Sequence, residues 1–133
     1  MSSIFTKIIN REIPAFIVAE DDENLAFLDI NPLSVGHTLV VPKREEDYLF
    51  DLEDDEYLSL NLFAKKVARA IKTVTGKRIG TAVIGIEVPH AHIHLIPFTK
   101  MSELNFENPK LKLTNEEFSE TATKIKEAFQ KSI

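Results

Sequence analysis

The chain has 133 residues, with 21 acidic against 16 basic side chains, a formal charge of −5, four histidines and no cysteine. That length suits one domain with enough residues to build a core, and 44% apolar with 28% charged residues is the mixture of a globular protein in water. The acidic balance argues against a nucleic-acid backbone as the main partner. The missing cysteine removes disulfide frameworks, thiolate zinc sites and cysteine nucleophiles. Neither a signal-peptide core nor a membrane-length apolar run of about 18 residues is visible, so a cytoplasmic protein without a membrane partner is expected.

Ser3 is placed to cap a short helix through Asn10, with Ile4, Phe5, Ile8 and Ile9 on its apolar side and Ile13-Pro14 closing it. Residues 16–20 are strand formers, residues 21–24 a polar turn, and residues 25–30 the returning strand of a hairpin. Asp29 ends that run just before the Asn31-Pro32 turn signal. A third strand, residues 37–42, begins at His37 and is entered through Gly36. Residues 43–47 form a mixed-charge link.

A long helix is expected over residues 54–75. Asp54, Asp55 and Glu56 suit its positive N-terminal end. Tyr57, Leu60, Phe63, Ala64, Val67 and Ile71 form one apolar stripe, and Gly76 is a natural stop. Residues 78–87 read as a fourth strand and residues 88–98 as a fifth. After a polar loop (99–113), Thr114 and Glu117 form a capping box. Phe118, Ala122, Ile125 and Phe129 then line a terminal helix that needs a surface to dock on. The sum is an α+β domain around a five-stranded, mostly antiparallel sheet, with a long central helix and a C-terminal helix.

The chemistry concentrates in Val88-Pro89-His90-Ala91-His92-Ile93-His94-Leu95-Ile96-Pro97. In an extended strand the period of two puts three imidazoles on one face, roughly 6.5 Å apart, and Ala91, Ile93 and Leu95 on the other. A chance row of surface histidines is improbable when the chain has only four. Three uses stay open. A His-x-His pair with His37 or Glu87 could hold a metal. One imidazole could attack phosphorus while its neighbours orient it and stabilise the phosphate. The platform could also bind a nucleotide without turnover.

His90-Ala91-His92-Ile93-His94-Leu95-Ile96 resembles the His-φ-His-φ-His-φ-φ signature of the histidine triad (HIT) family, φ being hydrophobic. Residues 4–9 with Glu12-Ile13-Pro14, residues 25–32 and residues 36–43 resemble the same family in order and spacing, most closely its Hint-like branch. The similarity covers about residues 3–98 of what is expected to be a single HIT domain spanning 1–133, with 99–133 as a C-terminal extension.

The resemblance implies a HIT-like fold and a hydrolase or transferase acting at the α-phosphate of nucleoside 5′-phosphoramidates or related purine nucleotide conjugates, with no cofactor and no catalytic metal. It implies His92 as the nucleophile, His94 as its aid at the phosphate and leaving group, and His90 and His37 as flanking, orienting residues. It also implies a nucleotide site of Phe5, Ile8, Phe27, Asp29 and Ile30, with Asp29 on the ribose and Glu87 and Val88 on the approach to the triad. A homodimer joined through the long helix and the fourth strand is implied as well. The chain departs from the family where Ile86 replaces the usual Gln, Glu87 the usual Ser, and an Asn is missing from the fourth strand. A purine nucleotide-binding protein with little turnover is therefore the first alternative, and a metal-dependent hydrolase the second.

Overall fold

The computed structural model describes residues 2–132. Ser3 caps α1 (Ile4–Ile9), its hydroxyl accepting the Thr6 N–H. The sheet contains β1 (Ile17–Glu20), β2 (Asn24–Leu28), β3 (Thr38–Pro42), β4 (Arg78–Ala82) and β5 (Ile93–Phe98) in the order β1-β2-β3-β5-β4, and every neighbouring pair is antiparallel. Between β3 and β4 runs α2 (Asp54–Thr75), which ends at Gly76 in the left-handed conformation (φ 70°). The chain finishes in α3 (Asn115–Lys131), capped by the Thr114 hydroxyl and Glu117.

The strict alternation of β2 and β3 divides the core in two. Ala26, Leu28 and Val40 face a layer made by α2 and α3, whereas Leu25, Phe27, Leu39 and Val41 face α1 through Phe5 and Ile8. Both strands are therefore buried on both faces. The terminal helix docks on its own subunit, against α2 and β1. Phe118 stacks on Phe16 with ring centroids 5.1 Å apart, and Phe129 meets Phe63 edge-on at 5.8 Å. Ile125 is fully buried, and burying a side chain of this kind stabilises the docked helix by about 1.5–3 kcal/mol.

Two expected strands are shorter than their sequence pattern. β4 stops at Ala82 rather than residue 87, because the chain turns away at Gly85 (φ 71°), a conformation that costs a residue with a Cβ. β5 starts at Ile93 rather than Val88. The amides ahead of it are engaged elsewhere, His90 N–H on the Val88 carbonyl (2.8 Å) and Ala91 N–H on the Glu46 carbonyl (2.6 Å). Of the three alternating histidines only His94 belongs to a strand. No helix among the described residues is long and apolar enough to cross a membrane.

Candidate active site

His37 stands one residue before β3, and His94 is the second residue of β5, opposite Leu39. Pairing of these strands brings the two rings together, with His37 Nε2 at 2.9 Å from His94 Nδ1. His92 lies just before β5 and its ring centroid is 5.0 Å from that of His94. That is closer than the strand repeat predicts, because residues 88–92 are not extended. Phe5 of α1 covers this group, edge-on to His92 (5.1 Å), His90 (5.8 Å) and Phe27 (5.5 Å).

The backbone around these rings assigns their protons. The Leu33 N–H donates to His37 Nδ1 at 3.0 Å. A neutral imidazole has one N–H, so His37 carries its proton on Nε2 and donates to His94 Nδ1. His94 is thereby left with Nε2–H. His92 Nδ1 lies 2.8 Å from the His90 carbonyl. A carbonyl only accepts, so the His92 proton sits on Nδ1 and the Nε2 lone pair is free. Among the described residues every buried side-chain N or O atom has a partner. Nε2 of His92 and Nε2 of His94 have none, so both open into the cleft. The site thus offers a bare imidazole nitrogen beside an imidazole N–H.

Burial keeps His37 and His94 neutral. It pushes His37 down to about 3, helped by the neighbouring His94 and Lys110, and His94 down to about 4, helped by His92. His90 is also lowered, chiefly by burial. The Asp29 carboxyl is pushed the other way by burial, against the Asn31 N–H that its Oδ1 accepts at 2.8 Å.

A cleft of ≈ 480 Å³ opens in front of the triad. It is lined by Phe5, Ile8, Phe27, Asp29, Ile30, Glu87 and Val88, and by His37, His92 and His94. His90 is not on its wall. Its ring is fully buried behind Phe5, with Nε2–H donating to the Pro42 carbonyl (2.7 Å) and Nδ1 accepting from the Ser3 hydroxyl (2.7 Å). His90 reaches the site through its carbonyl on His92 rather than through its imidazole. Glu45 completes this corner by accepting the Ser3 N–H (2.7 Å) and the Thr6 hydroxyl (2.6 Å).

The wall also holds residues that the sequence does not mark as part of a site, Phe106 and Lys110 foremost among them. Phe106 sets its ring edge-on to His94 (4.8 Å) and His37 (6.2 Å), and Lys110 lines the cleft beside it. The sign in the sequence is one aromatic, Phe106, in a polar loop with scattered apolar residues such as Leu104 and Leu111. Ser3 caps α1 as its sequence position suggests, and its bond to His90 spans 87 positions.

One cluster of metal-ligand type exists among the described residues, Asp29, His37 and His94, with donor atoms within 4.8 Å of one another. A metal on His37 Nε2 needs the ring proton on Nδ1, where the Leu33 N–H already points. The hydrogen-bonded arrangement and a metal exclude each other at this ring.

Comparison with known proteins shows the family and the fold. A model of the HIT domain matches residues 10–101. An uncharacterized HIT-like protein of Borreliella burgdorferi is 41% identical over 131 residues, covering 92% of this chain and 94% of that protein. The adenosine 5′-monophosphoramidase HNT1 of Saccharomyces cerevisiae is 40% identical over 96 residues, covering 71% of this chain and 61% of its own. The crystal structure of a Hit-like protein from Bartonella henselae superposes with a TM-score of 0.82 at 33% identity, covering 96% of both chains. With its sheet order, its buried imidazole pair and the His-x-His-x-His segment at the cleft, the chain belongs to the HIT family.

Proposed function

We propose that the protein is a Hint-like hydrolase of nucleoside 5′-phosphoramidates or related purine nucleotide conjugates, acting at the α-phosphorus through nucleotidyl-His92. The observation that carries this reading is the His92 Nδ1–H on the His90 carbonyl at 2.8 Å. It presents the Nε2 lone pair for attack and then stabilises the cationic ring that forms when Nε2 bonds phosphorus. The phosphoramidase name of the yeast relative supports the substrate class.

In the first step His92 Nε2 bonds phosphorus, the P–N bond to the leaving amine breaks, and the amine departs with a proton from solvent. In the second step water attacks the nucleotidyl-histidine, the P–Nε2 bond breaks, and the nucleoside monophosphate leaves with His92 restored. The His94 Nε2–H donates to the phosphate edge as charge builds there. His37 holds His94 in that tautomer. Phe5, Ile8, Phe27 and Ile30 form the apolar slot for the purine, and Asp29 accepts from the ribose hydroxyls.

The test is a single-turnover reaction with adenosine 5′-phosphoramidate in chelator, comparing wild type with His92→Ala and weighing the protein after rapid quench. AMP formation with a nucleotidyl adduct in wild type, and none in His92→Ala, is expected. Full activity of the variant overturns the mechanism. One observation favours a second reading, a binder with little turnover: the Glu87 carboxylate stands on the cleft wall beside the highly exposed Ile86. AMP binding without turnover on any phosphoramidate would decide for it.

We also propose a homodimer. β4 lies at the edge of the sheet, and the chain beyond it exposes Val83 and Ile84. An uncovered strand edge with apolar neighbours is a template for a second copy. The single domain is proposed to run through α3, which packs on the same core. The cysteine-free composition fits a cytoplasmic setting.

A further inference from the structure

We infer that Lys110, delivered from the C-terminal segment, is the residue that recognises the negative charge of the bound nucleotide's phosphate. The inference rests on the nucleotide reading of the cleft and adds to it a residue from outside the matched HIT segment, residues 10–101.

The first support is the charge inventory of the wall. The lining residues with formal charge are Asp29, Glu87 and Lys110. Of the rings that face the cleft, His37 and His94 contribute no positive charge near neutral pH, burial holding them at about 3 and about 4. A phosphate entering here meets two carboxylates and, among the described lining residues, a single cationic side chain. Desolvating an anion beside two like charges is unfavourable unless a cation offsets them. The approach to the triad supplies no such group, since the wall there consists of Ile84, Gly85, Ile86, Glu87 and Val88.

The second support is how Lys110 is held. Its ammonium donates to the Asn108 carbonyl at 3.0 Å and to the Phe106 carbonyl. An ammonium has three N–H donors, so one remains for a ligand. Carbonyls orient the group without cancelling its charge. No carboxylate among the described residues forms an ion pair with it. The segment that carries it is anchored at both sides. Phe106 packs edge-on against His94 at 4.8 Å, and the Leu111 N–H bonds the Pro32 carbonyl at 2.9 Å, just past the turn that follows Asp29. Lys110 is therefore fixed on the same wall as the His94 ring and the ribose carboxylate. Being half-buried, its field is less screened than that of a surface lysine.

A lysine that only staples its loop needs donors to two carbonyls, not a charge. Glutamine retains an NH₂ donor and loses the charge, so Lys110→Gln separates the two roles, and Lys110→Arg keeps the charge. The experiment is calorimetric titration of wild type, K110Q and K110R with AMP and, separately, with adenosine. The expected result is that K110Q loses about tenfold in AMP affinity, keeps its adenosine affinity within about twofold, and that K110R restores AMP binding. The preference of wild type for AMP over adenosine should also shrink between about 50 and about 500 mM salt, with no such shrinkage in K110Q. Unchanged AMP affinity in K110Q overturns the inference. An equal loss for AMP and adenosine also overturns it, assigning Lys110 to the building of the wall. Wild type that binds neither ligand overturns the nucleotide reading itself, a result distinct from both.

Discussion

The Leu33 amide directs its N–H at Nδ1 of His37 across 3.0 Å, and this contact decides where the protons sit on two imidazoles. It leaves His37 with Nε2–H, which donates to His94 Nδ1 at 2.9 Å and leaves His94 with Nε2–H toward the cleft. A backbone amide cannot change its protonation state, so the relay does not drift with pH while the rings stay neutral.

Replacing His37 by phenylalanine removes the donor to His94 Nδ1. That nitrogen is then left without a donor, and nothing in its surroundings fixes the His94 proton on Nε2 or the ring's orientation toward the cleft. On adenosine 5′-phosphoramidate, His37→Phe should lower kcat by about 10–100-fold with AMP affinity within a few-fold of wild type. Steady-state kinetics beside AMP titration checks this. An unchanged kcat would show that the His94 proton is set by something else.

Stability should fall with acid through the same rings. Burial holds folded His37 at about 3 and His94 at about 4, against about 6.5 for an unfolded histidine. Between those values the unfolded chain binds more protons than the folded one. Stability is therefore fully present above about pH 6.5 and is lost as pH falls toward the folded values. Going from pH 7 to pH 5 should cost up to about 2 kcal/mol per ring, less than twice that for the hydrogen-bonded pair. Urea midpoints measured across this range should fall steeply in wild type and less steeply in a His37→Phe/His94→Phe variant. Parallel curves would exclude these two rings as the source.

Ser3 joins α1 to the triad, its hydroxyl capping the helix through the Thr6 N–H (3.0 Å) and donating to His90 Nδ1 (2.7 Å). Ser3→Ala removes a cap worth about 1 kcal/mol and leaves a buried ring nitrogen short of its partner, at about 1–3 kcal/mol. Thr6 Oγ1, 3.4 Å from the same nitrogen, offsets part of that loss only by giving up its bond to Glu45. Urea denaturation should show a loss of about 2–3 kcal/mol in total. A change under about 0.5 kcal/mol, the range of ordinary surface substitutions, would mean the corner is solvated in solution.

The proposed dimer is open to a direct measurement. Ile84 is 48% exposed beside the β4 edge, so Ile84→Asp should leave the fold intact while weakening association. Sedimentation at micromolar protein should show a dimer for wild type and a shift toward monomer for the variant. Monomeric wild type would rule the interface out.

What could be read directly from the chain was local in origin. The α2 stripe with its Gly76 stop, the Thr114–Glu117 cap of α3 and the Asp21–Asn24 turn each depend on residues within a few positions of one another. The strand ends were not readable. Residues 90–95 alternate perfectly, yet the His90 and Ala91 amides bond to Val88 and to the distant Glu46, and alternation cannot report a partner that far away.

The site divides in the same way. From three alternating imidazoles, His37 and Asp29, the sequence narrowed the chemistry to a metal site, a nucleophilic imidazole or a nucleotide platform. The tertiary structure alone decided which nitrogen of each ring is bare, that His90 works through its carbonyl, and that Phe106 and Lys110 close the cleft. Those outcomes depend on contacts such as Leu111 with Pro32 and Ser3 with His90. Each joins residues far apart in the chain through a single hydrogen bond of definite direction, and hydropathy, spacing and composition carry no record of such bonds.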